Sequence, residues 1–189
     1  MNFQDTQLIG VLARADATVS QLSGLLSGLV ERFALHDAPL YLVGGSVRDA
    51  LLGRLGNDLD FTTPARPEVV YSILEDWAET VWDTGIDYGT VSAAYKGQQI
   101  EITTFRSDSY DGDSRNPEVV YGDTLEGDLV RRDFKVNAMA IELRPDGTRE
   151  FHDPMGGLQD LADRVLDTPD APEISFHDDP LRMLRAARF

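Results

Sequence analysis

Cysteine is absent from all 189 residues, which excludes disulfides and thiolate metal sites and suits a reducing, cytoplasmic setting. Any metal must therefore sit on oxygen or imidazole. No apolar run reaches membrane-spanning length, so no membrane partner is expected. No basic cluster precedes an apolar stretch at the N-terminus, so no secretory signal is read there. Positive charge is scarce: 17 Lys and Arg stand against 33 Asp and Glu, for a net charge of −16. A surface built to grip phosphate backbones without selectivity is basic, so such binding is not expected. What the chain does have is 42% hydrophobic residues, enough to build a core and too many for wholesale disorder. The length fits one domain, or one and a piece of a second, at roughly 100–200 residues each.

Apolar periodicity and turn residues order the elements. Thr6 to Leu35 reads as one helix, with leucines and valines at mixed three- and four-residue steps. Pro39 to Val43 reads as a short strand ended by Gly44-Gly45. Ser46-Val-Arg-Asp49 has the form of a capping box opening a helix through Leu52, with Gly53 as its stop. Asn57–Phe61 reads as a strand and Glu68–Thr80 as a helix. Thr90–Tyr95 and Gln99–Phe105 form a hairpin turning at Gly97. Ser107 to Val130 holds seven carboxylates (Asp108, Asp111, Asp113, Glu118, Asp123, Glu126, Asp128) against Arg115, and reads as a solvated loop. A helix around Asn137, a hairpin at Pro145-Asp146-Gly147 and a last helix from Asp179 follow. Intermixed helices, strands and hairpins give an α+β class. The chain stops at Phe189 inside a helical pattern with no Gly or Pro stop, which reads as a piece of a longer protein.

Chemistry gathers on the acidic residues of the strands. In Asp58-Leu59-Asp60 both carboxylates face one way while Leu59 and Phe61 face the core. A pair of hard oxygen ligands a strand period apart suits Mg²⁺, which keeps waters and takes substrate phosphate oxygens. A solvated strand end would look the same. Glu101, between Ile100 and Ile102, is a third carboxylate inside a β-rich segment, where burial calls for a partner or a metal. If its strand lies beside that of Asp58 and Asp60, three carboxylates converge and can hold two metals, one at the attacking hydroxyl and one at the leaving group.

Leu42-Val-Gly44-Gly45-Ser-Val-Arg48-Asp49 adds a strand, a glycine turn and a helix start. Glycines allow close backbone approach to phosphate, and free N–H groups at a helix start favour anions. Arg48 contributes a permanent forked cation. Near the C-terminus Asp179, Arg182, Arg185 and Arg188 recur every three residues, covering one broad helix side. They are either an Asp–Arg pair on a solvated face or an acceptor and donor set for a base edge. Arg131-Arg132-Asp133 is either a charged turn or further phosphate ligands. His36, His152 and His177 show no metal spacing and read as structural or surface; Trp77 and Trp82 read as core.

Gly44-Gly45-Ser-Val-Arg48-Asp49 followed by Asn-Asp58-Leu-Asp60-Phe is similar to the signature of DNA polymerase beta-like nucleotidyltransferases. The branch it resembles is class II, which contains bacterial CCA-adding enzymes (tRNA nucleotidyltransferases) and their poly(A) polymerase relatives. Arg131-Arg-Asp-Phe-Lys-Val-Asn-Ala-Met-Ala140 looks like the second motif of that class. His152-Asp-Pro-Met-Gly-Gly-Leu-Gln-Asp-Leu161 resembles the turn leading out of the head domain. Asp178-Asp179-Pro-Leu-Arg182-Met-Leu-Arg185-Ala-Ala-Arg188 resembles the neck-helix motif, with Asp178 where the family usually has Glu.

The resemblance implies a nucleotidyltransferase head with a mixed sheet of about five strands. It implies a helical extension over 1–36, the head over 37–165 and the start of a helical neck over 166–189. Asp58 and Asp60 would bind Mg²⁺, with Glu101 the third catalytic carboxylate. Gly44, Gly45, Arg48 and Arg132 would hold phosphates and sugar, with Asp133 and Asn137 near the sugar. Asp179 and Arg182 would meet the base, and Arg185 and Arg188 would support the triphosphate or that pair. The implied activity is template-independent addition of C and A from CTP and ATP to a tRNA 3′ end, with pyrophosphate released. A poly(A) polymerase, a CC- or A-adding enzyme, a non-catalytic nucleotide-binding regulatory module and an acidic interaction domain stay open at this level.

Overall fold

In the central strands buried apolar residues alternate with more exposed ones, and that alternation fixes which face of the sheet meets the helices. In the computed structural model, which describes residues 3–109 and 118–189, two helices α1 (Phe3–Ser20) and α2 (Ser23–Ala34) precede strand β1 (Leu40–Val43), helix α3 (Gly44–Leu51) and β2 (Asp58–Thr63). Then come α4 (Pro67–Glu75), β3 (Thr80–Trp82), β4 (Thr90–Tyr95), β5 (Gln98–Thr104), β6 (Arg106–Ser109) and β7 (Glu118–Tyr121). Helix α5 (Leu125–Val130), β8 (Ala140–Leu143), β9 (Arg149–His152), α6 (Gly157–Asp163), α7 (Pro172–Asp178) and α8 (Leu181–Ala186) complete the order. A mixed sheet runs β3-β4-β5-β2-β1-β8-β9, seven strands where the resemblance implied about five. All pairings are antiparallel except β2 with β5. Leu40, Leu42, Leu59, Phe61, Val91, Ile100 and Ile102 meet α1–α4 in one core. Across the sheet, Val43 and Ala140 pack with Leu129 and Ala138 in a smaller cluster. No helix among the described residues is long and apolar enough to cross a membrane.

Six local readings are corrected. The single N-terminal helix breaks at Gln21-Leu22. Its apolar steps drift, so one straight stripe cannot face the core for its whole length, and two helices can. The capping box does not form: α3 begins at Gly44, two residues before Ser46, whose hydroxyl bonds across to β2 instead. Helix α4 ends at Glu75, because Thr80–Trp82 is drawn into the sheet against β4. That strand is the sheet edge, and Trp82 is 42% exposed rather than core, whereas Trp77 is partly buried and stacks on Tyr95. The acidic segment is no simple loop. β6 and β7 pair antiparallel and Thr124 caps α5, while Asp111, Asp113 and Arg115 lie outside the described residues. Finally, Asp179 does not open the last helix. Pro180 forces its predecessor out of the helical region, so Asp179 is extended between α7 and α8.

Candidate active site

Alternation in β2 buries Leu59 and Phe61 and turns Asp58 and Asp60 to the opposite face. In β5 the buried pair Ile100 and Ile102 turns Glu101 the same way. The two strands are parallel neighbours with Asp60 opposite Glu101 and Asp58 opposite Gln99. All three carboxylates therefore share one face, the adjacency the sequence could only make conditional. Ser46 at the start of α3 fixes the end of β2: its Oγ accepts from the Asp60 amide at 2.9 Å and donates to the Asp58 carbonyl at 3.3 Å.

Asp60 and Glu101 line a cleft of about 900 Å³. Asp58 is exposed at the beginning of β2 and is not on the cleft wall. Burial pushes the Asp60 carboxyl above the usual carboxylate range, and Glu101 raises it further; Arg132 pulls it down, Asp58 raises it and Arg48 lowers it. Crowded, partly desolvated oxygens of this kind fit a hard divalent cation. The residues are the right chemistry for one, although their oxygens are more widely spread than those of another group. Among the described residues, the ligand atoms within 4.8 Å of one another are those of Glu142, Glu150 and His152 on β8 and β9. There Arg144 donates to both glutamates, so that group already holds a cation of the protein's own.

The glycine turn borders the same cleft. Gly44 has φ +66°, and a Cβ there would stand 2.9 Å from Arg132 Nη1 and 3.7 Å from Asp60 Oδ2. Glycine thus lets the Arg132 guanidinium lie over the turn beside Asp60. Gly45 lines the cleft as well. Arg48 is set beside the wall rather than on it, donating to Asn137 Oδ1 at 2.7 Å and to Asp49 at 3.0 Å, with its guanidinium 5.0 Å from the Phe189 ring centre. Asn137 Nδ2 in turn donates to Asp133 Oδ1 at 3.0 Å, and Asp133 Oδ2 is 2.8 Å from Arg185. A polar relay therefore ties α3 to α8 through the buried Asp133 and Asn137.

In the same cleft Asp179 and Arg182 lie side by side, 3.9 Å apart. Arg182 is buried, donating to Ser175 Oγ at 2.7 Å and to the Arg131 carbonyl at 2.8 Å. The Asp179 carboxylate accepts from the Leu181 amide at 3.0 Å. Arg185 lines the cleft; Arg188 does not, being exposed in the turn after α8. The three-residue row is thus broken at Pro180 and loses its last member.

Two participants escaped the sequence. Ser46 has the pattern of a cap, and nothing in the sequence tells a cap from a cross-link to the next strand. Asp128 belongs to the acidic run that reads as solvated, yet it is fully buried. Its Oδ1 accepts from Arg131 Nη2 at 2.7 Å and Nε at 3.1 Å, and its Oδ2 from Arg132 Nη2 at 3.0 Å. Burial alone would raise its carboxyl, but Arg132 and Arg131 outweigh that and hold it below the usual range. The signal was present as Asp-Leu-Val-Arg-Arg, which sets one acid three and four residues before two arginines.

Known proteins share both chain and fold. Residues 40–167 match the poly A polymerase head domain. The CCA-adding enzyme of Lactobacillus helveticus is 45% identical over 158 residues, 82% of this chain and 38% of that protein. That of Geobacillus stearothermophilus is 41% identical over 163 residues, 86% of this chain and 38% of its own length. The crystal structure of the Bacillus stearothermophilus CCA-adding enzyme in complex with CTP superposes with a TM-score of 0.73 at 38% identity, covering 88% of this chain and 38% of that one. The Thermotoga maritima CCA-adding enzyme complexed with tRNA-CCA gives 0.69 at 31% identity, covering 89% and 37%. The chain spans about 38% of the length of these curated relatives. By its sequence over residues 40–167, the chain belongs to the poly A polymerase head domain family.

Proposed function

We propose that this chain carries the nucleotidyl-transfer site of a tRNA CCA-adding enzyme, joining C and A from CTP and ATP to an RNA 3′ end. One observation carries the reading. Asp60 and Glu101, paired in register, line a cleft that the Asp179–Arg182 pair lines as well. Relatives named as CCA-adding enzymes, with structures described as CTP and tRNA complexes, support it.

The 3′-hydroxyl oxygen of the RNA gives up its proton to solvent and forms a bond to the α-phosphorus of the incoming nucleotide. The bond from that phosphorus to the bridging oxygen breaks, and pyrophosphate leaves with the electron pair. Asp58 and Asp60 would hold Mg²⁺, which when bound supplies charge neutralisation and a more acidic attacking hydroxyl. Glu101, opposite Asp60, adds the third carboxylate. Arg132, over Gly44, faces the triphosphate, and Arg48 and Arg185 add charge at the rim. Asp133 and Asn137, locked to each other, border the sugar.

Base choice follows from donors and acceptors. A carboxylate only accepts and a guanidinium only donates. Adenine and cytosine each present an amino donor beside a ring-nitrogen acceptor; guanine and uracil present the reverse order. Asp179 beside Arg182 therefore satisfies A and C and leaves G and U unpaired, a penalty that discriminates strongly. Arg182 is fit for this because Ser175 and the Arg131 carbonyl fix its orientation before any base arrives.

Asp60→Ala should abolish incorporation into a tRNA lacking its CCA end while the variant keeps its circular dichroism spectrum. Near-normal turnover would refute the assignment. Supplying CTP and ATP singly and together separates CCA addition from poly(A), CC or A addition.

A further inference from the structure

Arg132 has a supporting structure of its own, built on a residue outside every motif quoted for the site. Its Nη1 side crowds Gly44, 2.9 Å from where a Cβ would stand. Its Nε is buried without a hydrogen-bond partner. Its Nη2 is tied at 3.0 Å to Asp128, a fully buried carboxylate on α5 whose other oxygen takes both Nε and Nη2 of Arg131. An arginine side chain is long and loses much rotamer freedom when fixed. On the wall of a cleft already holding Asp60 and Glu101, an untethered guanidinium would swing down to the nearer carboxylate and neutralise it. Asp128 opposes that collapse, since it holds Nη2 while Nη1 lies over the Gly44 turn. Leu129, its neighbour in sequence, is fully buried against Val43 and Ala140, which anchors α5 to the sheet.

We propose that Asp128 is a positioning residue: its buried carboxylate holds the Arg132 guanidinium over the Gly44 turn, where it meets the triphosphate of the incoming nucleotide. The inference rests on the nucleotide-binding reading of the cleft and goes beyond it by assigning a role to a group that touches neither nucleotide nor metal. A merely structural Asp128 would stabilise the fold without acting through Arg132, and the two cases separate in a double-mutant cycle.

Binding of magnesium tripolyphosphate, which has no base or sugar, is measured by calorimetry on the 189-residue chain and on Asp128→Asn, Arg132→Ala and the double variant. Magnesium–ATP is titrated in parallel. Asp128→Asn should weaken tripolyphosphate binding about tenfold or more, as expected when a charge-binding group is misplaced by about 1 Å. The double variant should bind no more weakly than Arg132→Ala alone. Wild-type affinity in a folded Asp128→Asn overturns the proposal, and so do losses that simply multiply. If Asp128→Asn does not fold, Asp128→Glu replaces it in the same cycle: it keeps the charge and shifts both guanidinium groups by one methylene. Failure of both variants to fold assigns Asp128 to stability alone and overturns the proposal too. A wild-type chain that binds neither magnesium–ATP nor magnesium tripolyphosphate sinks the nucleotide reading itself and takes this inference with it.

Discussion

Gly44 shows how one missing side chain organises the cleft. The chain leaves β1, whose Val43 is fully extended, and turns straight into α3 with φ +66° at Gly44. An L-residue in that conformation is strained by about 1–2 kcal/mol. The added methyl would also meet Arg132 Nη1 at 2.9 Å, tighter than any real Cβ contact. Gly44→Ala should therefore lower stability by about 1–2 kcal/mol in a urea titration. Because Arg132 must move to admit the methyl, the same substitution should weaken ATP binding several-fold. Loss of stability with wild-type ATP affinity would show that the approach of Arg132 to the turn is not needed. The neighbouring Ser46 works differently: it spends its hydroxyl on the backbone of Asp58 and Asp60, so it sets where the carboxylates stand without touching what they bind.

Helix α5 is a short element held by one buried charge. Six residues make a marginal helix, and its support comes from Leu129 in the small cluster and from the Asp128 ion pairs. The Asp128 carboxyl lies below its ordinary value when folded, because Arg132 and Arg131 outweigh the burial that raises it. A depressed folded value means that its stabilisation is complete above the unfolded value near 4. That stabilisation is lost as pH falls through the folded value. Wild-type stability should therefore fall more steeply than that of Asp128→Asn below about pH 4, and the two should run parallel between pH 5 and 8. At neutral pH the variant should lose about 2–3 kcal/mol, toward the low end for a broken buried pair, since the arginine side chains keep 15% and 18% exposure. Urea titrations across the pH series check both statements.

The same scale marks what was legible in the sequence. Strand alternation placed Asp58, Asp60 and Glu101 correctly, because a two-residue period survives whatever the strand pairs with. The hairpins at Gly97 and Gly147 were legible from turn chemistry, both glycines having positive φ. Helix ends were not: α4 stops early because Thr80–Trp82 gains a partner strand far along the chain, and α8 starts late because Asp179 precedes a proline. Asp128 was hidden because burial is a property of the fold, and an acidic run looks the same whether water or arginine receives it.

Charge at the scale of the whole chain poses the remaining problem for an RNA-directed reading. The net charge is −16, yet Arg106, Arg131, Arg132, Arg182 and Arg185 all line one cleft. In that cleft the five arginines balance Asp60, Glu101, Asp133, Asp178 and Asp179, so it is far less acidic than the chain as a whole, while most of the acid lies elsewhere on a surface that repels phosphate backbones. Long-range attraction for a polyanion is set by the summed charge, whereas a small anion inside the cleft feels mainly its nearest neighbours. The chain should therefore bind magnesium–ATP measurably and tRNA weakly. Its ATP affinity should change little with added salt beyond ordinary screening, because Arg131, Arg132 and Arg182 are largely buried, although Arg185 is exposed. Fluorescence titration with labelled tRNA at physiological ionic strength tests the other half. Submicromolar binding there would mean that the cleft arginines, or a surface patch acting with them, overcome the acidic exterior, and that the charge argument is wrong.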